Sequence, residues 1–314
     1  MTKFAHILSK FVRGVMSGFD WEDLRYFLEV ERAGRLTRAA RRLKVSHTTV
    51  ARRIERLETA LQTRLFDRGD EGMVLTPAGA EILRHAVAME AASQAIADHS
   101  GASLEALSGT VRVGAPDGFG NAFLSRILPR LLAREPGLTV ELVPVPVNHR
   151  LWKRDVDIAI SLDRPETGRL VMRKLLDYDL RIYGAPSLFN GQGVPATREA
   201  LRAFPFVGYI DDLIFTQELD FNYQISPDLR VAYKAATVKA QFDAVRAGAG
   251  LGVLPCFMAN GAGLVPVMAE DIPFTRSYWL LFPEDYRNVA RIRYVCDFIA
   301  AETLAHQAEF GFRL

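Results

Sequence analysis

The stretch Gly34-Arg35-Leu36-Thr37-Arg38-Ala39-Ala40-Arg41-Arg42-Leu43-Lys44-Val45-Ser46-His47-Thr48-Thr49-Val50-Ala51-Arg52-Arg53-Ile54 decides how this chain reads. Leu36, Ala39, Ala40 and Leu43 recur at helical spacing, with small residues where a second helix can approach closely. Lys44-Val45-Ser46 interrupts that pattern. Ser46 suits an N-cap, because its hydroxyl can accept from an orphan amide of the next turn. Val50, Ile54, Leu57 and Leu61 then lay an apolar stripe along a second helix. Two helices joined by a tight turn make a helix-turn-helix.

Charge indicates what the motif touches. From Arg32 to Arg56 nine Lys or Arg stand against one acid, Glu55, although the whole chain carries only +2. A local surplus of that size is the footprint expected for a phosphate backbone. A second helix lying in the major groove presents its first turns to base edges. With Val50, Ile54 and Leu57 turned inward, His47, Thr48, Ala51 and Arg52 are expected to read bases. Thr49, Arg53, Arg56 and, beyond the helix, Arg68 are expected to position the protein on phosphates. The bland alternative is a solvated basic helix packed on a core.

Leu65-Phe66 reads as a strand anchored on the helices, Gly69-Asp70-Glu71-Gly72 as turn chemistry, and Met73-Val74-Leu75 as a returning strand. Thr76-Pro77 caps and opens a further helix, with Pro at the first position where a missing amide costs nothing. Taken together, Asp23 to Gly79 resembles the N-terminal domain of LysR-type transcriptional regulators. The resemblance rests on Leu24-Arg25-Tyr26-Phe27-Leu28-Glu29-Val30, the Ala39-Ala40 pair, Ser46, Ile54-Glu55-Arg56-Leu57-Glu58, Leu65-Phe66-Asp67-Arg68 and Leu75-Thr76-Pro77-Ala78-Gly79. It implies a winged helix-turn-helix bound to double-stranded DNA. Where the family usually carries Gln-Pro or Gln-Ser after the serine, and Ser before the recognition-helix Arg, this chain has His47-Thr48 and Ala51, so its operator should differ. Glu71 stands where a wing-tip Arg is common, which puts a contact from that position in doubt.

From Ala80 to Asp98 an Ala-rich helix pattern exposes apolar surface with few partners nearby, and a second chain is the simplest cover. In the resembled family this linker helix pairs with its counterpart, which implies a homodimer or dimer of dimers on a dyad site. The alternative is burial against the chain's own effector domain. His99-Ser100-Gly101-Ala102-Ser103 ends the helix and begins a hinge.

After Gly109 strands and helices alternate: 110–114, 139–143, 156–160, 180–183, 206–209, 229–233 and 250–255 as strands, with 123–134 and 291–304 as helices. Such alternation favours parallel sheets covered by helices. This part resembles the two-lobed, periplasmic-binding-protein-like effector domain of the same regulators, with Ala244 to Pro255 matching its helix-turn-strand signature. The fold expected is therefore an all-α winged helix-turn-helix with a long linker helix, followed by an α/β two-lobed domain. The expected boundaries are 1–18 for an N-terminal extension, 19–79 for the head, 80–100 for the linker and 101–314 for the effector domain. Lobe I covers about 109–182 and 268–304, lobe II about 183–267, the chain crossing near Ile182 and returning near Val265-Pro266-Val267.

Ligands of open parallel sheets sit beyond the carboxyl ends of the strands, where loops and helix N-termini converge. The expected effector-binding residues are Pro116, Asp117, Gly118, Phe119, Ser161, Leu162, Tyr209, Thr237 and Pro255. Gly118 and Gly120 allow a loop whose amides point at a ligand. Family members often place Ser or Thr after the first strand. Pro116-Asp117 stands here, and an acid there disfavours a simple carboxylate effector in favour of one with an amine or several hydroxyls; a loop-capping Asx role is the equal alternative.

Nothing else in the chain carries catalysis or a cofactor. Six histidines are scattered without metal spacing, and no nucleophile elbow or phosphate loop occurs. Cys256 and Cys296 are the only cysteines, which with no secretory signal suggests a reducing cytoplasm. Both sit in apolar surroundings typical of inert thiols. Phe4, Ile7, Leu8, Phe11 and Val15 could form an amphipathic helix, but the preferred reading is that Met16 is the true start and the leader is disordered or loosely attached. The reading is a regulator and not an enzyme, with DNA, a small effector and RNA polymerase as candidate partners and no membrane. The other classes in play are a solute-binding receptor or an enzyme on a two-lobed scaffold with a basic appendage.

Overall fold

The computed structural model describes residues 19–69, 72–99, 107–144, 156–165, 169–214 and 219–313. They fall into two compact units divided between Ser100 and Gly101. The expectations for 1–18, for the wing tip at Asp70 and Glu71, and for the hinge at 100–103 lie outside the described residues. Among the described residues no helix is long and apolar enough to cross a membrane.

The first unit runs α1 (Trp21–Ala33), α2 (Leu36–Leu43), α3 (His47–Leu61), β1 (Phe66–Gly69), β2 (Gly72–Leu75) and α4 (Pro77–His99). Phe27, Leu28, Val30, Val50, Ile54, Leu57 and Leu65 form its buried core, as their helical spacing requires. The hairpin is anchored there by Phe66, whose ring centroid lies 5.2 Å from that of Phe27. It is also stitched to the α1–α2 corner, because Met73 N donates to Gly34 O at 2.9 Å. Glycine is required at Gly72 for that approach: its φ is +137°, and a Cβ would lie 2.3 Å from Gly34 O. Thr76 opens α4 as its sequence suggests, accepting from Gly79 N at 2.9 Å while donating to Arg64 O at 2.7 Å. The linker helix is less bare than its sequence implies. Ile82, Leu83, Ala86 and Val87 pack on the core of the head itself, and Glu90 pairs with Arg32 at 2.5 Å.

The second unit runs β3 (Gly109–Ala115), helical turns at Asp117–Phe119 and Gly120–Leu124, α5 (Ser125–Arg134), β4 (Leu138–Pro144), β5 (Ile158–Ser161), β6 (Leu170–Gly184), β7 (Phe206–Tyr209), α6 (Phe221–Ile225), β8 (Val231–Ala235), α7 (Val238–Arg246), β9 (Leu251–Pro255), β10 (Val265–Val267), β11 (Phe274–Pro283) and α8 (Ala290–Ala305). One sheet holds them in the order β4-β3-β5-β11-β6-β9-β7-β8, with β10 paired to β6. The expectation of parallel sheets holds only at the two ends, where β3 pairs parallel with β4 and β5, and β7 with β8 and β9. Between them β11 runs antiparallel to β5 and β6, and β6 antiparallel to β9. The run 180–183 is the end of a 15-residue strand. Sequence alternation reports neighbours along the chain, and it carries no signal for two long strands that traverse both lobes.

Those crossing strands carry a shared aromatic core. Tyr178 of β6 stacks on Tyr278 of β11 at 4.3 Å and 11°, and Phe119 lies 4.4 Å from Tyr278. Phe310 adds to it from the C-terminal segment, 5.0 Å from Phe123 and 4.8 Å from Phe257. Burial raises the pKa of both tyrosine hydroxyls, so the cluster stays neutral.

Candidate nucleic-acid interface and effector cleft

Helix α3 begins where Ser46 predicts. The Ser46 hydroxyl accepts from Thr49 N at 3.1 Å and lies 2.8 Å from the hydroxyls of Thr48 and Thr49. Val50, Ile54 and Leu57 are buried, which leaves His47, Thr48 and Arg52 exposed and Ala51 half-buried on the outer face. Arg52 has no hydrogen bond or ion pair among the described residues. Its guanidinium is therefore uncommitted at the end of the helix that a groove would admit. Thr49 is half-buried and its hydroxyl is tied to the cap. Arg68 pairs through its backbone with Met73, and the contact expected of its side chain lies outside the described residues.

Arg53 and Arg56 are placed differently from the free phosphate-binding cations the sequence suggests. Arg56 Nε donates to Asp23 at 2.6 Å and its terminal nitrogen to Asp20 at 2.7 Å, while Arg53 reaches Asp23 at 3.0 Å. Asp23 is 1% exposed, so two guanidiniums balance one buried carboxylate at the start of α1. The pKa of each arginine is raised, above all by its hydrogen bond to Asp23. Asp20 is held below the usual carboxylate range, first by the Glu22 N–H it accepts and then by the charges of Arg56 and Arg53. Asp20 also caps α1. These acids escape a count of local charge because they precede the basic run by a whole helix. An acid at position 23, in register with Phe27 and Val30 on the inner face, is the signal that could have found one of them.

In the second unit the structure brings part of the expected cleft together. Asp117, at the end of β3, sends its carboxylate to the N-terminus of α7, accepting from Lys239 N at 3.0 Å and Val238 N at 3.4 Å. Thr237 caps the same helix, accepting from Ala240 N at 3.3 Å. Gly118 is buried against the second lobe: a Cβ there would lie 2.6 Å from Val238 Cγ1 and 3.2 Å from Met258 Sδ. Tyr209 ends β7, and its hydroxyl pKa is raised, first by burial and then by the charge of Asp117. Pro255 is buried opposite Leu180 on the crossing strand.

Other residues are drawn elsewhere. Phe119 is fully buried in the aromatic core and offers no surface to a ligand, because the helical turn at Asp117 rotates it inward. The Gly120 amide, expected to point out of a glycine loop, is spent in that turn, donating to Pro116 O at 2.8 Å. Two amides of α7, those of Val238 and Lys239, meet Asp117 there. Ser161 keeps its hydroxyl in its own turn, accepting from Asp163 N at 3.2 Å, beside a half-buried Leu162. Cys256 and Cys296 are buried, with thiol pKa values raised by that burial. Among the described residues no group of three His, Cys, Asp or Glu could hold a metal ion.

Comparison with known proteins covers both units. The model "Bacterial regulatory helix-turn-helix protein, lysR family" matches residues 21–80, and "LysR substrate binding domain" matches 105–303. The chain is 29% identical over 293 residues to the Mau operon transcriptional activator of Paracoccus denitrificans, covering 92% of this chain and 99% of that protein. It is 26% identical over 295 residues to the HTH-type transcriptional regulator CrgA of Neisseria meningitidis, covering 90% and 96%. Among solved structures, ArgP from Mycobacterium tuberculosis superposes with a TM-score of 0.69 at 20% identity, covering 91% of this chain and 98% of the other.

Proposed function

Because the chain belongs to the LysR family of transcriptional regulators, we propose that it binds a dyad DNA site through α3 and answers to a small molecule held between the lobes of its second unit. The observation that carries the first half is the capped start of α3, where His47, Thr48 and the uncommitted Arg52 face outward from a basic module. Two copies are needed to place two such helices one turn apart, so the working form is a homodimer or dimer of dimers. The protein acts in the cytoplasm without catalysis, and RNA polymerase is the partner that an activator on DNA would contact. An effector shifts the oligomer only through unequal affinity for its two arrangements.

The base-reading role gives a direct test. Arg52→Ala should cost roughly 1 to 3 kcal/mol at one operator position and relax preference there. Anisotropy against a set of singly substituted operators measures it. Equal weakening on every sequence would show that Arg52 meets phosphate instead.

The second half of the proposal turns on Asp117. Its carboxylate already occupies the amides of Val238 and Lys239, where a carboxylate effector would otherwise bind. The cleft therefore favours ligands bearing amines or hydroxyls over simple carboxylates. Asp117→Ser should free those amides and let small carboxylates such as acetate or benzoate raise the melting temperature of the variant more than that of the parent. Equal responses of the two proteins in a thermal-shift series would overturn this role for Asp117.

A further inference from the structure

Helix α7 turns Val238, Gln241, Phe242 and Val245 inward, and only one of these four is polar. Gln241 is 3% exposed, and its Nε2 has no hydrogen-bond partner among the described residues. A buried amide left so is costly, and it needs an explanation in what it faces. It faces a pocket of about 40 Å³ inside the second lobe, walled by Val207, Phe221, Val231 and Val253. Of the residues assigned to the inter-lobe cleft only Tyr209 borders this space.

The rest of the lining is rich in acceptors. Asn222 borders the pocket with its amide pinned, Nδ2 donating to Val207 O at 3.3 Å. Gly208 makes room for that arrangement, since a Cβ would lie 2.3 Å from Asn222 Nδ2. The side-chain carbonyl oxygen of Asn222 makes no hydrogen bond among the described residues and is left to accept. Asp211 and Asp220 also line the pocket, the first held by Lys234 at 2.6 Å and the second accepting from Tyr223 N at 3.1 Å. Carboxylates at this density repel an anion and favour a ligand that donates. A hydroxyl meets Gln241 in either orientation of its carboxamide, because it both accepts and donates.

We propose that this pocket binds a small hydroxylated amine, its hydroxyl on Gln241 and its ammonium group toward Asp220. One water needs roughly 10 to 15 Å³ of such space, so the volume suits a group of about three or four heavy atoms. The site goes beyond the inter-lobe cleft: it lies within one lobe and needs no movement of the other.

Ethanolamine is the probe, titrated into the full chain by thermal shift and calorimetry, with glycerol and acetate as comparisons. The expected result is saturable stabilisation by ethanolamine, weaker or none with glycerol, and none with acetate. Gln241→Met should fold at least as well as the parent and bind ethanolamine about tenfold more weakly, the loss of one hydrogen bond. Asn222→Ala, on a half-buried side chain, supplies a second variant with the same expected direction. Three results would overturn the proposal: no saturable binding, equal stabilisation by all three probes, or ethanolamine binding that Gln241→Met leaves intact. Binding lost in Asp117→Ser but kept in Gln241→Met would place the ligand in the cleft and leave the lobe II pocket to water.

Discussion

Phe310→Ala should lower the stability of the second unit by about 3 to 5 kcal/mol, the cost of emptying a fully buried aromatic site. Phe310 is wholly buried, with its ring 5.0 Å from Phe123, 6.0 Å from Phe119 and 4.8 Å from Phe257. Those contacts belong to different elements, so no one helix can relax to fill the hole. The backbone around it is committed as well. Phe310 O accepts from Asp179 N at 2.9 Å, Phe312 N donates to the Asp179 carboxylate at 3.1 Å, and Asn260 Nδ2 donates to Gly311 O at 3.0 Å. The C-terminal segment thus clips the crossing strand β6 to the helical turn that follows β9. Urea denaturation followed by fluorescence should show the loss, while the head keeps its affinity for DNA. A change below about 1 kcal/mol would mean that the clip is not part of the cooperative unit.

The second large effect is expected in the head. Replacing Arg53 and Arg56 together by Met strips both counter-charges from Asp23, a carboxylate that is 1% exposed. A buried charge left alone is strongly destabilising, so melting of the head should fall by about 10 °C or more. Either single replacement should do much less, because the remaining guanidinium still holds Asp23. Changing Asp23 to Asn in the double variant should recover much of the loss, since the amide removes the buried charge. Phosphate contacts alone predict the opposite pattern: weaker DNA binding at every sequence, unchanged melting, and no rescue by Asn. The network also has a pH sign. Asp20 has its pKa lowered in the fold, so its contribution is present above the ordinary aspartate range and is lost as pH falls through the folded value.

Much of the head was legible because its signals are local. The periodicity of Leu36 to Ile54, the cap at Ser46 and the Thr76-Pro77 opening of α4 each depend on residues within a turn or two of one another. Tertiary context gives two arginines acidic partners that the local sequence does not show, by bringing Asp20 and Asp23 against them from another helix. In the second unit the strands β3, β7 and β9 lie close to where alternation puts them, but the central antiparallel pairing of β6 with β11 joins residues about a hundred positions apart. No window of sequence contains both partners. The cleft illustrates the same divide: Asp117 and Thr237 are each marked by chemistry, but their meeting at α7 is a matter of how two lobes close.

The amino-acid sequence by itself determined the family, the helix-turn-helix and the outward face of α3, because caps, periodicity and charge act over a few residues of chain. Only the tertiary structure decided that Arg53 and Arg56 serve Asp23, that Phe119 belongs to a core and that Gln241 looks into a pocket. Each of those outcomes depends on which distant group fills the space opposite, and on burial turning a weak contact in water into one that the fold cannot leave unmade.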